Sequence, residues 1–199
     1  QLAAQFAELA GCRVVALDYN PERLKLAEYG GAELTCNLSD GDPIAEIMNL
    51  SGGRGCDGVV IAAATESSEP FDTAAAIARD RGTISLVGHT GTELDYRNFM
   101  KKELSVVVSR SYGPGRYDPD YENRHIKFPV GFVRWTETRN LEETVRLMSR
   151  RRDHRRRAPR KGRGGRSRRV DFGARYLGGL RHGSRDLLSS LFWGQVCGT

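Results

Sequence analysis

The sequence predicts a doubly wound α/β fold, in which helices cover both faces of a parallel sheet. Three observations carry this. Short β-branched apolar runs recur along the chain, as in "RVVALD", "CDGVVIAAAT", "TISLVG" and "ELSVVVS". Helical patterns separate most of them, and strands alternating with helices indicate a parallel sheet. The runs are nearly continuous rather than alternating apolar and polar, as strands covered on both faces are.

Taken in order, "QLAAQFAELAG" places Leu2, Phe6 and Leu9 at helical spacing and ends on Gly11. "RVVALD" is a strand that turns polar at its carboxyl end. "NPERLKLAEYGG" reads as a helix with Asn20 as N-cap, Pro21 at the first helical position, apolar Leu24 and Leu26, and Gly30 as C-cap. "DPIAEIMNLSGG" is a helix capped by Asp42, "CDGVVIAAAT" a buried strand, and "EPFDTAAAIARDRG" a helix running to Gly82. "TISLVG" and "ELSVVVS" complete the strands. An irregular stretch from Tyr112 to Trp135 follows, and "NLEETVRLMSR" resumes a helical pattern.

The 199 residues suffice for one ordinary core plus an appendage. No apolar run approaches a membrane span and no signal-like segment opens the chain, so the expected compartment is the cytoplasm, away from membranes. Cys12, Cys36, Cys56 and Cys197 are widely spaced, which favours apolar fillers over a disulfide framework or a zinc knuckle. The net charge of +6 hides two unlike parts: residues 1–148 hold 16 Lys+Arg against 22 Asp+Glu, whereas residues 149–199 hold 15 against 3. Residue 149 is therefore the expected boundary between the α/β domain and an Arg/Gly-rich tail.

The tail supports two readings that the residues leave open. As a genuine segment it is disordered, and its guanidinium groups pair with nucleic-acid phosphates electrostatically. As an aberrant segment it is a frame-shifted translation: Arg and Gly dominate, Glu and Ile vanish, and one of its fifteen basic residues is Lys.

The functional candidate is Asp18, the acid that ends "RVVALD". In a Rossmann-like dinucleotide fold such an acid holds the cofactor ribose and lies about 20 residues beyond the glycine-rich phosphate loop. Counting back that distance passes Gln1, so the first strand and its loop are expected to precede Gln1, and the domain to be truncated at its N-terminus. A nearer match, "GRGCDG" at Gly53, Gly55 and Gly58, follows a helix and opens a strand, the reverse of the required context. It reads as a helix-to-strand connection.

"GCRVVALDYNPERLKLAEYGGAE", "CDGVVIAAAT" and "RGTISLVGHTG" resemble the cofactor domain of medium-chain, zinc-type alcohol dehydrogenases. "SRSYGPGRYDPDYE" with "FPVGFVRWTETRNLEE" is similar to zinc-binding dehydrogenases that are in many cases fused to a Gfo/Idh/MocA-type oxidoreductase. The resemblance covers Gln1 to about Met148. It implies hydride transfer to or from an alcohol or sugar-like small-molecule substrate; the Asp18 carboxylate, which would accept both ribose hydroxyls and repel a 2′-phosphate, makes NAD the expected cofactor, and a homo-oligomer is expected. It also implies cofactor contacts at Asp18, Arg23, Ala63, Ala64, Thr65, Val87, Gly88 and His89. Zinc belongs to the full-length family, whose catalytic domain precedes the glycine loop, and this chain alone is expected to bind poorly and to be inactive.

Other polar residues are weaker. His89 as a general base has no partner in the sequence pattern, and a lone His after a strand is more often a loop residue. His125 and His154 lack an acid or nucleophile at meaningful spacing. Ser109, Ser111 and Tyr112 are expected to line the cofactor cleft, and "YGPGRYDPDY" to form an ordered loop that mediates subunit contact.

Overall fold

A computed structural model describes the backbone of residues 1–157 and the side chains of residues 1–150. The elements run α1 (Leu2–Leu9), β1 (Val15–Asp18), α2 (Pro21–Tyr29), β2 (Leu34–Asn37), α3 (Ile44–Ser51) and β3 (Cys56–Ile61). They continue with α4 (Glu69–Ile77), β4 (Ala78–Leu86), α5 (Tyr96–Lys102), β5 (Ser105–Val108), α6 (Pro119–Glu122) and α7 (Glu137–Arg157). The fold is α/β with parallel strands, as the sequence predicts. α7 runs across the expected boundary at residue 149, and the rest of the basic tail lies outside the described residues.

The strands form two sheets rather than one. β1 pairs with β2, and β3, β4 and β5 follow in that order, all parallel. No ladder joins β1 to β3. The core lies under the larger sheet, where Ile61, Phe71, Ala74, Ala75, Ile84 and Phe99 are buried together with Val59, Leu86 and Leu104 against them. The Phe71 and Phe99 rings meet at a tilt, their centroids 6.4 Å apart. These side chains come from β3, α4, β4, α5 and, for Leu104, the turn before β5, so one sheet face and two helices share a single apolar cluster.

Four features depart from the sequence reading. β2 and α5 were not expected, because Leu34–Asn37 buries only Cys36 and Tyr96–Lys102 only Phe99, too little to mark a period. α2 buries Leu24 and Ala27, while Leu26 faces solvent. The helix expected to reach Gly82 stops at Ile77, and Ala78 is already extended. That stop is capped from outside the segment. Lys102 Nζ, from the end of α5, donates to the carbonyls of Ala75, Ala76 and Ala78 at 2.7, 2.9 and 2.8 Å, and so occupies carbonyls that a further turn would use.

The two ends of the strands differ. At the amino ends, Arg13 spans Glu33 with two 2.8 Å bonds and reaches the Leu50 carbonyl at the end of α3. Arg79 pairs with Asp57 and Arg81 with Glu103, both at 2.6 Å. Each such pair is worth little alone. The carboxyl ends are left to loops. Among the described residues no helix is long and apolar enough to cross a membrane.

Candidate cofactor-binding site

β1 ends in Asp18, and the chain turns from strand to helix at once. Asp18 Oδ1 accepts the Asn20 N–H at 2.9 Å, and Asn20 Oδ1 accepts the N–H groups of Glu22 and Arg23 at 2.9 and 3.4 Å. Asn20 is thus the N-cap that the sequence predicts, and Pro21 follows it in the first turn. The cap brings Arg23 back over the strand end, its guanidinium 3.7 Å from Asp18 Oδ2. Asp18 is 30% exposed, so its carboxylate keeps acceptor positions open to solvent beside a partial counter-charge.

The second group of predicted residues converges by backbone pairing. Val87 and Gly88 both donate to the Ile61 carbonyl at 2.9 Å, His89 donates to Ala63 at 3.0 Å, and Thr65 donates to His89 at 2.9 Å. Ala64 and His89 form an isolated parallel bridge that continues the β3–β4 pairing past the strand ends. Gly91 then donates to Ser67 at 3.1 Å, and the Glu93 N–H to Ser68 Oγ at 3.0 Å. Ala63, Ala64, Val87 and His89 are exposed on the resulting rim, and Thr65 and Gly88 are half-buried. His89 Nε2 lies 3.8 Å from Glu66 Oε1 with both side chains in solvent, an arrangement that leaves it a loop residue.

One bond joins the two groups, and the sequence gives no sign of it. Tyr19 Oη donates to Glu69 Oε1 at 2.7 Å, linking the residue after Asp18 to the first turn of α4. That carboxylate pushes the Tyr19 phenol above the usual tyrosine range, chiefly through the hydrogen bond. Ser109 also reaches this end: its N–H donates to the Leu86 carbonyl at 2.9 Å, which sets Ser109, Arg110, Ser111 and Tyr112 beside the β4 loop.

The glycine match at Gly53 and Gly55 lies between α3 and β3, the helix-to-strand connection that its sequence context indicates. Gly53 has φ 79°, and a Cβ on Gly55 would meet the Ile77 carbonyl oxygen at 2.7 Å. The glycines there serve a turn and a close packing rather than a phosphate.

The residues fit a dinucleotide and do not fit zinc. Asp18 offers acceptors for hydroxyls, and Gly88, lacking a Cβ, lets its loop close on the Ala63 backbone at the same strand ends. Among the described residues no three His, Cys, Asp or Glu side chains are grouped to hold a metal. Desolvation raises the thiols of Cys12, Cys36 and Cys56, with Asp57 adding to the first and last and Glu46 to Cys36, although Cys12 is exposed by surface area.

Residues 1–124 match the model of the zinc-binding dehydrogenase family. An alcohol dehydrogenase of Cupriavidus necator is 33% identical over 89 residues, which are 44% of this chain and 24% of that protein. The chain thus spans about a quarter of that relative's length. A quinone oxidoreductase of Pseudomonas syringae shares the fold with a TM-score of 0.53 at 18% identity, over 75% of this chain and 41% of that one. The alcohol dehydrogenase of Aeropyrum pernix superposes with a TM-score of 0.48 at 27% identity, over 54% of this chain and 31% of the other. With the family's model matching more than half of its residues, this chain belongs to the zinc-binding dehydrogenases, a family of oxidoreductases.

Proposed function

We propose that the chain is the NAD-binding part of a dehydrogenase that moves hydride between the nicotinamide and an alcohol or sugar-like substrate. The observation that carries this is the place of Asp18, at the carboxyl end of β1 where the ladder order breaks between β1 and β3. Open α/β sheets take their ligands at such a switch point. A carboxylate there accepts both ribose hydroxyls and repels a 2′-phosphate, so NAD is selected over NADP. Ala63, Ala64 and Thr65 then run beside the cofactor, and Val87, Gly88 and His89 meet its nicotinamide end.

A strand preceding Gln1 would lie between β1 and β3 and deliver a glycine-rich loop to the cofactor phosphates. The bound nicotinamide supplies the hydride donor or acceptor, while residues of this chain hold and orient it. Polarising the substrate oxygen falls to parts of the longer protein, which we place in the cytoplasm as a homo-oligomer. Titrating NADH and NADPH into the chain, with nicotinamide fluorescence as the readout, tests this. Weak but saturable NADH binding is expected, tighter than NADPH by about tenfold or more. Equal affinities, or no saturable NADH binding, would overturn the reading.

A further inference from the structure

The loop that follows β5 opens at the carboxyl end of the sheet, because β5 runs parallel to β4 in the register Leu86 with Val108. It is a built loop. Tyr112 and Tyr117 have φ of 59° and 65°, a region that bulky residues rarely adopt, so surrounding contacts must hold them there. Buried Asn140 on α7 donates Nδ2 to the Tyr112 carbonyl at 2.9 Å, and the Glu137 N–H donates to the Pro114 carbonyl at 2.7 Å.

The acids of this loop are all occupied. Asp118 caps α6 by accepting the Asp120 and Tyr121 N–H groups, Asp120 pairs with Arg124 at 3.0 Å, and Glu122 holds Arg116 at 2.7 Å and the Tyr117 N–H at 3.2 Å. Arg110 is left over. It is exposed, and its described contact is the ring of Tyr117, 5.1 Å from centroid to guanidinium carbon. Arg116 lies 4.6 Å from the same ring. Two cations therefore share one ring, and among the described residues only one of them has a carboxylate.

We propose that Arg110 is a specificity-determining residue that receives an oxyanion of the substrate, phosphate or carboxylate, at the β5 end of the cleft. The ring of Tyr117 orients the guanidinium, whose fork suits a bidentate oxyanion, and Ser109 and Ser111 flank it in the chain. An anion there also relieves the repulsion between the two guanidinium groups. Assigning the anion to the substrate rather than to the cofactor rests on the proposed function, in which the cofactor phosphates lie toward β1.

The probe is inorganic phosphate, titrated into the full chain at low ionic strength and followed by NMR at the Arg110 Nε–H and the Ser111 amide. The expected result is a saturating shift at both, none at the exposed Arg54, and persistence under saturating NADH. In Arg110→Gln the Ser111 titration should weaken about tenfold or more, and in Tyr117→Leu about two- to fivefold, with Tyr117→Phe unchanged. No saturation at Arg110, an equal shift at Arg54, or displacement by NADH would overturn the proposal. NADH binding is read by fluorescence in the same samples. Its absence would count against the cofactor reading, while the phosphate titration without NADH still decides whether Arg110 binds an anion.

Discussion

A Cβ on Gly88 would lie 2.0 Å from the carbonyl oxygen of Ala63, closer than any side-chain atom can approach a backbone. The contact exists because Gly88 and His89 pair with Ile61 and Ala63, carrying the sheet past its strand ends into the exposed rim. Gly88→Ala must push the two loops apart. Its expected cost is about 1–3 kcal/mol in urea unfolding, together with weakened NADH binding. Gly131→Ala, where a Cβ meets nothing within 4 Å, should stay within about 0.5 kcal/mol of the parent. Equal behaviour of the two variants would show that the crossing is not tight.

Asp18 sets the cofactor preference in the proposed function. Asp18→Asn removes the charge while keeping the side-chain volume and an acceptor for the Asn20 N–H that now bonds Oδ1. NADH affinity should fall by about 1.5–3 kcal/mol, the scale of hydrogen bonds to a charged group, and NADPH affinity should rise as repulsion of the 2′-phosphate is lost. Parallel fluorescence titrations of both cofactors check this. An unchanged ratio would remove Asp18 from the ribose site.

Lys102 joins α5 to the carboxyl end of α4 through three carbonyls. Lys102→Met keeps the aliphatic stem and leaves those carbonyls without the ammonium, at the negative end of the helix dipole. The expected loss is about 1.5–3 kcal/mol of stability, seen as a lower urea midpoint at unchanged slope. NADH affinity should not move, since the bond lies at the far end of α4 from Glu69. A midpoint equal to the parent's would mean that water replaces the ammonium without cost.

What was legible in the sequence was local. Asn20 and Pro21 announce the start of α2 because cap chemistry needs only three or four consecutive residues, and Asp18 is placed by the same turn. The runs that became β3 and the second half of β4 are apolar enough to be read alone. β2 was not, since four residues with one buried side chain carry no period. The early start of β4 at Ala78 goes with pairing to Cys56 and a bond from Lys102, each more than twenty residues away in sequence. The bond between Tyr19 and Glu69 spans 50 residues between two exposed side chains, and nothing in either neighbourhood signals it.

That bond gives the site an alkaline limit. The raised Tyr19 phenol keeps its proton, and hence its bond to Glu69, below the ordinary tyrosine range; the bond is lost as pH rises through the raised value. Glu69→Gln removes the carboxylate and should return Tyr19 to an ordinary titration. An ultraviolet difference titration of the variant against the parent, with Tyr19→Phe to assign the signal, measures the shift. No difference attributable to Tyr19 would mean that the two side chains are separated by water in solution.

The break between β1 and β3 predicts a pattern of amide protection. β4 lies between two ladders, so the N–H groups of Thr83–Leu86 are bonded on one side or the other and should exchange slowest of the sheet. β1 and β3 each have one ladder, to β2 and to β4 respectively. In a parallel strand successive N–H groups point to opposite edges, so about half of those in β1 and β3 face the break. An unpaired amide reachable by water gains nothing from the sheet, and it should exchange orders of magnitude faster than its neighbours in strict alternation. If a preceding strand belongs in the break, a longer form of the protein that carries it should protect those alternate amides and leave the others unchanged. Hydrogen exchange followed by NMR on both forms decides the matter: uniformly slow amides through Val15–Asp18 and Val59–Ile61 in this chain, or no added protection in the longer one, would show that no strand is accommodated there.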